Sequence, residues 1–350
     1  MTARGGVAGT LRFEWRILVM GNGFYTQQRA PVEAEPIRIP LARPFALPPR
    51  RRVGLPLLLF LLTLMSTLFV GLHLTRAYEQ NRPPYTEAIF FPIFQQVLEN
   101  PGLLLAGWPF AVTLLGILLA HELGHYFACR YYGIVASYPY FLPVPNLIGT
   151  MGAFIRIKSP IVNRRALFDV GIAGPLVGFV LAVPALAVGV AYSKIIPGAA
   201  AESAILFGNP PLVWFLEKLV WPGVASEDIF LHPIGRAAWV GLFATALNLL
   251  PVGQLDGGHI VYAVAARRHR LLSRAVLLSL LVAGLVGTRF PELVWPGWLV
   301  FGGLLLLIGM RHPAVLNPGP PLDHRRLWVA ALGLLVFFLC FTPVPIHILD

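Results

Sequence analysis

Cysteine is nearly absent from this chain. Its 350 residues include two, Cys129 and Cys340, and no CxxC pair. That spacing excludes a disulfide framework and a cysteine-based metal site. Cys129, four residues after His125, reads as a small packed side chain. Charge is scarce too. Charged residues make up 12% of the chain, roughly half the share in a soluble domain. The acids are outnumbered, 16 against 27 basic residues, for a net charge of +11. No zinc-finger or RNA-binding signature accompanies that excess, so no nucleic acid partner is expected. Serine is missing from the first 50 residues, which argues against a transit peptide. The first long apolar run starts near Leu55, too late for a signal peptide, and no small-residue cleavage site precedes it. Internal repeats are absent. The longest connections between apolar runs are about 40 residues, too short for a sizeable extramembrane domain.

Apolar residues are what the chain has in plenty. They form 57% of it, and the mean hydropathy is +0.71. Apolar runs fall near 55–74, 103–128, 167–192, 235–250, 271–287, 293–310 and 327–347. Most approach the length that spans a bilayer as helix. In lipid, backbone groups must be satisfied within the chain, which favours helices. The expected fold is an all-α polytopic membrane protein with about seven transmembrane helices. Loop charges give the orientation. Arg50, Arg51 and Arg52 close the N-terminal tail, and segment 129–166 carries Arg130, Arg156, Lys158, Arg164 and Arg165 with no acid. Both are expected inside, as are Arg267, Arg268, Arg270 and Arg274, and later Arg311, Arg325 and Arg326. Segments 75–100 and 193–234 carry more acids than bases and are expected outside. The chain then divides into a cytosolic tail over 1–54, a first span and outside loop over 55–100, a central core over 101–270, and C-terminal helices over 271–350. The Pro-rich stretch Pro31–Pro49 is expected to be poorly ordered.

The second apolar run ends in His121-Glu122-Leu123-Gly124-His125, an H-E-x-x-H pattern. On a helix, His121 and His125 lie one turn apart on one face, the spacing that lets two imidazoles bind one Zn²⁺. Glu122 lies beside the first of them, where it can take a proton from the water at the metal. Two His and a Glu inside an apolar segment are costly there, so a functional site is the default reading. A third ligand is needed. Asp169, in Phe168-Asp169-Val170-Gly171, and Asp256, in Gln254-Leu255-Asp256-Gly257-Gly258-His259, are both candidates. Asp169 opens a helix just past Arg164 and Arg165, so charge pairing accounts for it cheaply. Asp256 follows Pro251 and Gly253, and irregular backbone at membrane depth suits a cavity.

Between Gly149 and Lys158 the chain alternates with period two: Met151, Ala153, Ile155 and Ile157 point one way, Gly152, Phe154, Arg156 and Lys158 the other. This predicts a short membrane-associated β segment. Its unpaired edge is expected to add an extended substrate through Gly152, Ala153 and Phe154. His259, three residues after Asp256, is a candidate partner of the metal ligands, and Asp169 another. Gly171, Gly174 and Gly178 suit close helix contact. His73 and His347 are expected at interfaces.

H-E-L-G-H at 121–125 together with Asn248-x-x-Pro251 and Leu255-Asp256-Gly257 resembles the site-2 protease family of intramembrane zinc metalloproteases. The resemblance covers most of 103–265. The stretch from Gly149 through Asp169 is similar to the bacterial and plastid members that lack a PDZ domain. The resemblance implies that His121, His125 and Asp256 bind one Zn²⁺ per chain. It implies Glu122 as catalytic base and Asn248 as a residue holding substrate or oxyanion. It also implies hydrolysis of peptide bonds within or near the span of single-span, membrane-anchored substrates. The expected setting is a bacterial cytoplasmic membrane with the N-terminus cytosolic. The rival readings are a membrane metal transporter and a catalytically inactive membrane chaperone. Intact Glu122 argues against the second, and the scarcity of ionisable residues in the outer halves of the spans against the first.

Overall fold

The computed structural model describes residues 53–82, 90–198, 203–308, 315, 317 and 319–348. The expected N-terminal tail lies outside them but for its last two residues. The chain is mainly helical. In order it forms α1 (Gly54–Glu79), α2 (Phe90–Glu99), a 3-10 turn (Pro101–Gly107), α3 (Trp108–Tyr131), β1 (Tyr140–Pro143) and β2 (Thr150–Phe154). Next come α4 (Arg164–Ala191), β3 (Lys194–Ile195), β4 (Ile205–Phe207), α5 (Pro211–Val220), β5 (Ile229–Phe230) and α6 (Pro233–Leu249). The last elements are α7 (Asp256–Gly287), α8 (Gly297–Ile308), α9 (His324–Cys340) and β6 (Ile346–Ile348).

Local chemistry sets several of these ends. Asn163 caps α4, its side chain accepting from Ala166 N at 2.8 Å. Asp323 caps α9 by accepting from Arg326 N at 3.0 Å. These caps satisfy amides that a helix N-terminus leaves unpaired. Proline stands in the first turn of α3, α5 and α6, where its missing N–H costs nothing.

Each expected apolar run is helical over most of its described residues, with 293–296 and 341–347 outside the helices, but the lengths differ. Four stretches are long and apolar enough to cross a membrane: Gly54–Glu79, Pro101–Tyr131, Arg164–Ala191 and Asp256–Gly287. Helices α6 and α9 have 17 residues each and α8 has 12. The expected fifth span is not a separate helix. It is the second half of α7, continuous with the Asp256 segment except for a break at Ala265 (φ −141°, ψ 61°). Arg267, Arg268, Arg270 and Arg274 therefore sit on a helix, not in a loop.

Helix α4 is the hub, packing against α3, α6, α7 and α9. Phe110, Leu114, Phe168, Leu186 and Leu242 are fully buried between these helices. Lipid tails are as apolar as leucine, so close packing, not water exclusion, holds such helices together. Gly124 shows how close: a Cβ there would lie 2.6 Å from the Ala173 carbonyl oxygen of α4. His73, expected at an interface, is instead 2% exposed, because its face of α1 turns into this core.

The period-two segment does form a strand, over Thr150–Phe154, with one further bridge from Ile157 to Ala136. One of its edges is already taken. β1 pairs with it antiparallel, Tyr140 opposite Phe154 and Phe141 opposite Ala153. Ser66 on α1 donates to the Gly149 carbonyl at 2.6 Å, tying the hairpin to the first long helix.

Candidate metal centre

Helix α3 carries His121, Glu122 and His125 inward; their exposures are 6%, 5% and 7%. Asp256 is the first residue of α7, where the chain leaves the irregular turn after α6. Among the described residues, His121, His125 and Asp256 form the single cluster of three side chains able to share a metal. His121 Nε2 and His125 Nε2 lie 3.1 Å apart. Asp256 Oδ2 lies 3.2 Å from the first and 3.3 Å from the second. A tetrahedral zinc with bonds of about 2.0–2.1 Å spaces its ligand atoms about 3.3–3.4 Å apart. The observed triangle is close to one face of that tetrahedron.

The tautomer of His125 sharpens the fit. Its Nδ1 is 2.7 Å from the Val170 carbonyl oxygen, which can only accept, so Nδ1 carries the proton. In the neutral ring, Nε2 then presents a lone pair to a carboxylate oxygen and to a second imidazole nitrogen. Three acceptors facing one another repel unless a cation sits among them. The donor set, two imidazoles and a carboxylate, is one that zinc favours. The histidine-to-carbonyl bond is the usual device for fixing a metal-binding ring.

The seat for both rings is the small-residue stripe of α4. A Cβ on Gly174 would lie 2.1 Å from His125 Nε2, and one on Gly178 would approach His121 Cβ to 3.2 Å. The stripe expected to serve helix contact therefore also leaves room for the imidazoles. Asn248, in the last turn of α6, brings its amide nitrogen to 3.3 Å from His121 Nε2. His259 lines the same cavity, of about 200 Å³, beside Gly171. So do Glu122, Ala153, Phe154, Ile155 and Gln254. The Glu122 carboxylate accepts the backbone N–H of Ile155, just beyond β2. Gly152, also expected to hold substrate, does not line this cavity; its φ of +101° makes it the left-handed residue of the strand.

Asp169 is not at the centre. Its carboxylate takes two hydrogen bonds from Arg326 of α9 and one from the Tyr132 hydroxyl. Sequence reasoning missed Arg326, Val170 and the ring seat on α4. The glycine spacing was the one available signal for the last of these. A backbone carbonyl and a partner over 150 residues away leave no local trace.

The family model for peptidase family M50 matches residues 109–287, about half of the chain. The chain belongs to peptidase family M50. This M50 chain is similar to "Probable zinc metalloprotease EGY1, chloroplastic" of Arabidopsis thaliana, 33% identical over 305 residues. That alignment covers 82% of this chain and 52% of the relative. The rice protein of the same name (Oryza sativa subsp. japonica) is 30% identical over 307 residues, covering 83% and 50%. The rice "Probable zinc metalloprotease EGY2, chloroplastic" (subsp. indica) is 36% identical over 196 residues, covering 54% and 34%. The M50 chain thus spans about half the length of the curated relatives it matches. Those relatives are chloroplastic by name, which weighs against the expected bacterial cytoplasmic membrane.

Proposed function

We propose that this chain is an intramembrane zinc endopeptidase that cuts membrane-anchored substrates within or near their spans. The observation that carries the reading is the triangle of His121 Nε2, His125 Nε2 and Asp256 Oδ2, with Glu122 on the same cavity. His121, His125 and Asp256 would hold one zinc ion, which when bound polarises a water and the scissile carbonyl. Every other step belongs to the protein's own side chains and backbone. Val170 keeps the His125 ring in the tautomer that points Nε2 inward. Glu122 takes a proton at its carboxylate and returns it to the leaving amine. The Ile155 N–H orients that carboxylate. Asn248 stands where its amide can donate to a substrate carbonyl, beside His121.

The hairpin positions the substrate. A helix must unwind before its peptide bond can be attacked, and its freed amides need partners in a poorly hydrated place. β1 occupies one edge of β2, and the other edge is the one an extended substrate would join, with Gly152, Ala153 and Phe154 in its path. With the centre on the side expected to be cytosolic, the cut falls on the cytosolic side of a single-span protein. The purified chain, loaded with zinc, should cleave a detergent-solubilised single-span protein, and Glu122→Ala should abolish that cleavage. Undiminished cleavage by the variant would overturn the assignment of the base.

A further inference from the structure

A second polar cavity lies among β4, α5, β5 and the start of α6, and the proposed reaction makes no use of it. Its volume is about 300 Å³, within the range of small-molecule sites. Arg236 lines it from the first turn of α6, while Asn248 stands in the last turn. Twelve residues of helix separate the two, about 18 Å along the axis. The cavity therefore belongs to the other end of the molecule.

One wall asks for hydrogen-bond donors. Glu217 of α5 is 3% exposed; Asn209 Nδ2 bonds it at 2.6 Å and the Ser226 hydroxyl bonds it too, with the charge of Lys218 nearby. Its neighbour Lys218 has its ammonium on the Val224 carbonyl. Burial raises the pKa of the Glu217 carboxyl. Beside it, Asn209 Oδ1 is buried and accepts no hydrogen bond. An unmet buried acceptor next to a buried acid is costly and leaves this wall rich in acceptors. The opposite wall has the other polarity. The Arg236 guanidinium lies 5.5 Å from the ring centres of Phe207 and Phe230, and His347 of β6 completes the lining. Trp239 adds a third aromatic ring. Next to the cavity, α5 exposes Trp214, Phe215 and Leu219 by 53%, 56% and 66%. A short helix with such a face, packed against α4 and α9, suits the headgroup layer of a bilayer.

We propose that this cavity binds a phosphoethanolamine headgroup, its ammonium on Glu217 and its phosphate toward Arg236 and His347. A primary ammonium offers three N–H donors and a positive charge to the acidic wall. The guanidinium suits the phosphate. A bare divalent cation fits less well, because Glu217, Glu227 and His347 do not gather within ligand distance of one another. A membrane lipid is the natural source, given the apolar face of α5; a free phosphoethanolamine shares the recognised chemistry.

Calorimetric titration of the full zinc-loaded chain in maltoside micelles tests this. The probes are dihexanoyl phosphatidylethanolamine, the choline and glycerol lipids of the same chain length, and free phosphoethanolamine. Saturable binding of the ethanolamine lipid is expected, with the choline and glycerol lipids at least about tenfold weaker, since neither offers N–H donors. Glu217→Gln keeps the shape and the local hydrogen bonds, so it should fold and hold normal zinc, yet bind the ethanolamine lipid at least about tenfold more weakly. Arg236→Gln should weaken the lipid similarly. Tighter binding of the lipid than of free phosphoethanolamine assigns the site to membrane lipid, and equal binding assigns it to the headgroup alone; both uphold the recognition. Equal affinity for the ethanolamine and choline lipids, or unchanged binding by Glu217→Gln with normal zinc content, would overturn it.

Discussion

Arg326 of α9 grips Asp169 of α4 through two parallel hydrogen bonds, Nε to Oδ1 at 2.9 Å and a terminal nitrogen to Oδ2 at 2.6 Å. The same guanidinium reaches the α9 cap Asp323 at 2.5 Å, and the Tyr132 hydroxyl at the end of α3 joins the pair. Asp169 immediately precedes Val170, whose carbonyl holds the His125 ring. The clamp thus ties three helices together one residue from the histidine's anchor. Arg326→Ala should loosen that turn and weaken zinc retention about tenfold, the usual scale for losing an outer support of a metal ligand. Arg326→Lys should rescue only part, since an ammonium cannot make the paired contact. Zinc titration of the two variants checks this. Identical affinities in both variants and the parent would remove the link between clamp and centre.

The ligands and the base should separate cleanly. His125→Ala and Asp256→Ala are expected to lower zinc content strongly, because each removes one of three protein ligands. Glu122→Ala is expected to keep zinc and lose cleavage. Metal analysis of the purified variants decides; full zinc in Asp256→Ala would remove it from the ligand set.

Gly174→Ala adds a single methyl group 2.1 Å from His125 Nε2. A close-packed seat cannot absorb that atom without moving the imidazole. Zinc affinity should fall about tenfold or more, whereas Gly116→Ala, which meets nothing within 4 Å on the same helix as the motif, should leave it unchanged. Equal affinities in these two variants would mean the ring seat has no bearing on the metal.

Proline scanning of β2 tests how substrate is held. Gly152 is unsuitable, because φ of +101° is closed to proline. Ala153 and Phe154 are adjacent, so their amides point to opposite edges of the strand. One of Ala153→Pro and Phe154→Pro should disturb pairing with β1 and lower folded yield. The other should fold, hold zinc and lose most cleavage. Normal cleavage by the well-folded variant would rule out substrate addition to this strand.

Orientation can be read with single cysteines. Cys129 and Cys340 are both fully buried, so they should stay silent toward an impermeant thiol reagent. Lys158→Cys and Ala225→Cys place a thiol at exposed positions in the two long loops. With positive charge kept inside, only Ala225→Cys should be labelled from outside the membrane. Labelling of Lys158→Cys instead would invert the proposed topology and the side of the cut.

Much of this protein is determined by sequence alone, and the reason is period. The apolar runs mark every long helix, since one bilayer length of apolar residues has few other uses. H-E-x-x-H places two imidazoles one turn apart on any helix, so two of the three corners of the metal triangle are local. Alternation at 149–158 marks the strand for the same reason. What tertiary structure decided is everything that joins separate segments. The family resemblance had already implied Asp256 as the third ligand; what packing adds is the partner of Asp169, Arg326, 157 residues further along. The Val170 carbonyl, the ring seat at Gly174 and Gly178, and the β1 partner of β2 depend on how helices and strands meet. So does the merging of the expected fifth span into α7. Contacts of this kind have no periodic signature, because they are made between faces that only packing brings together.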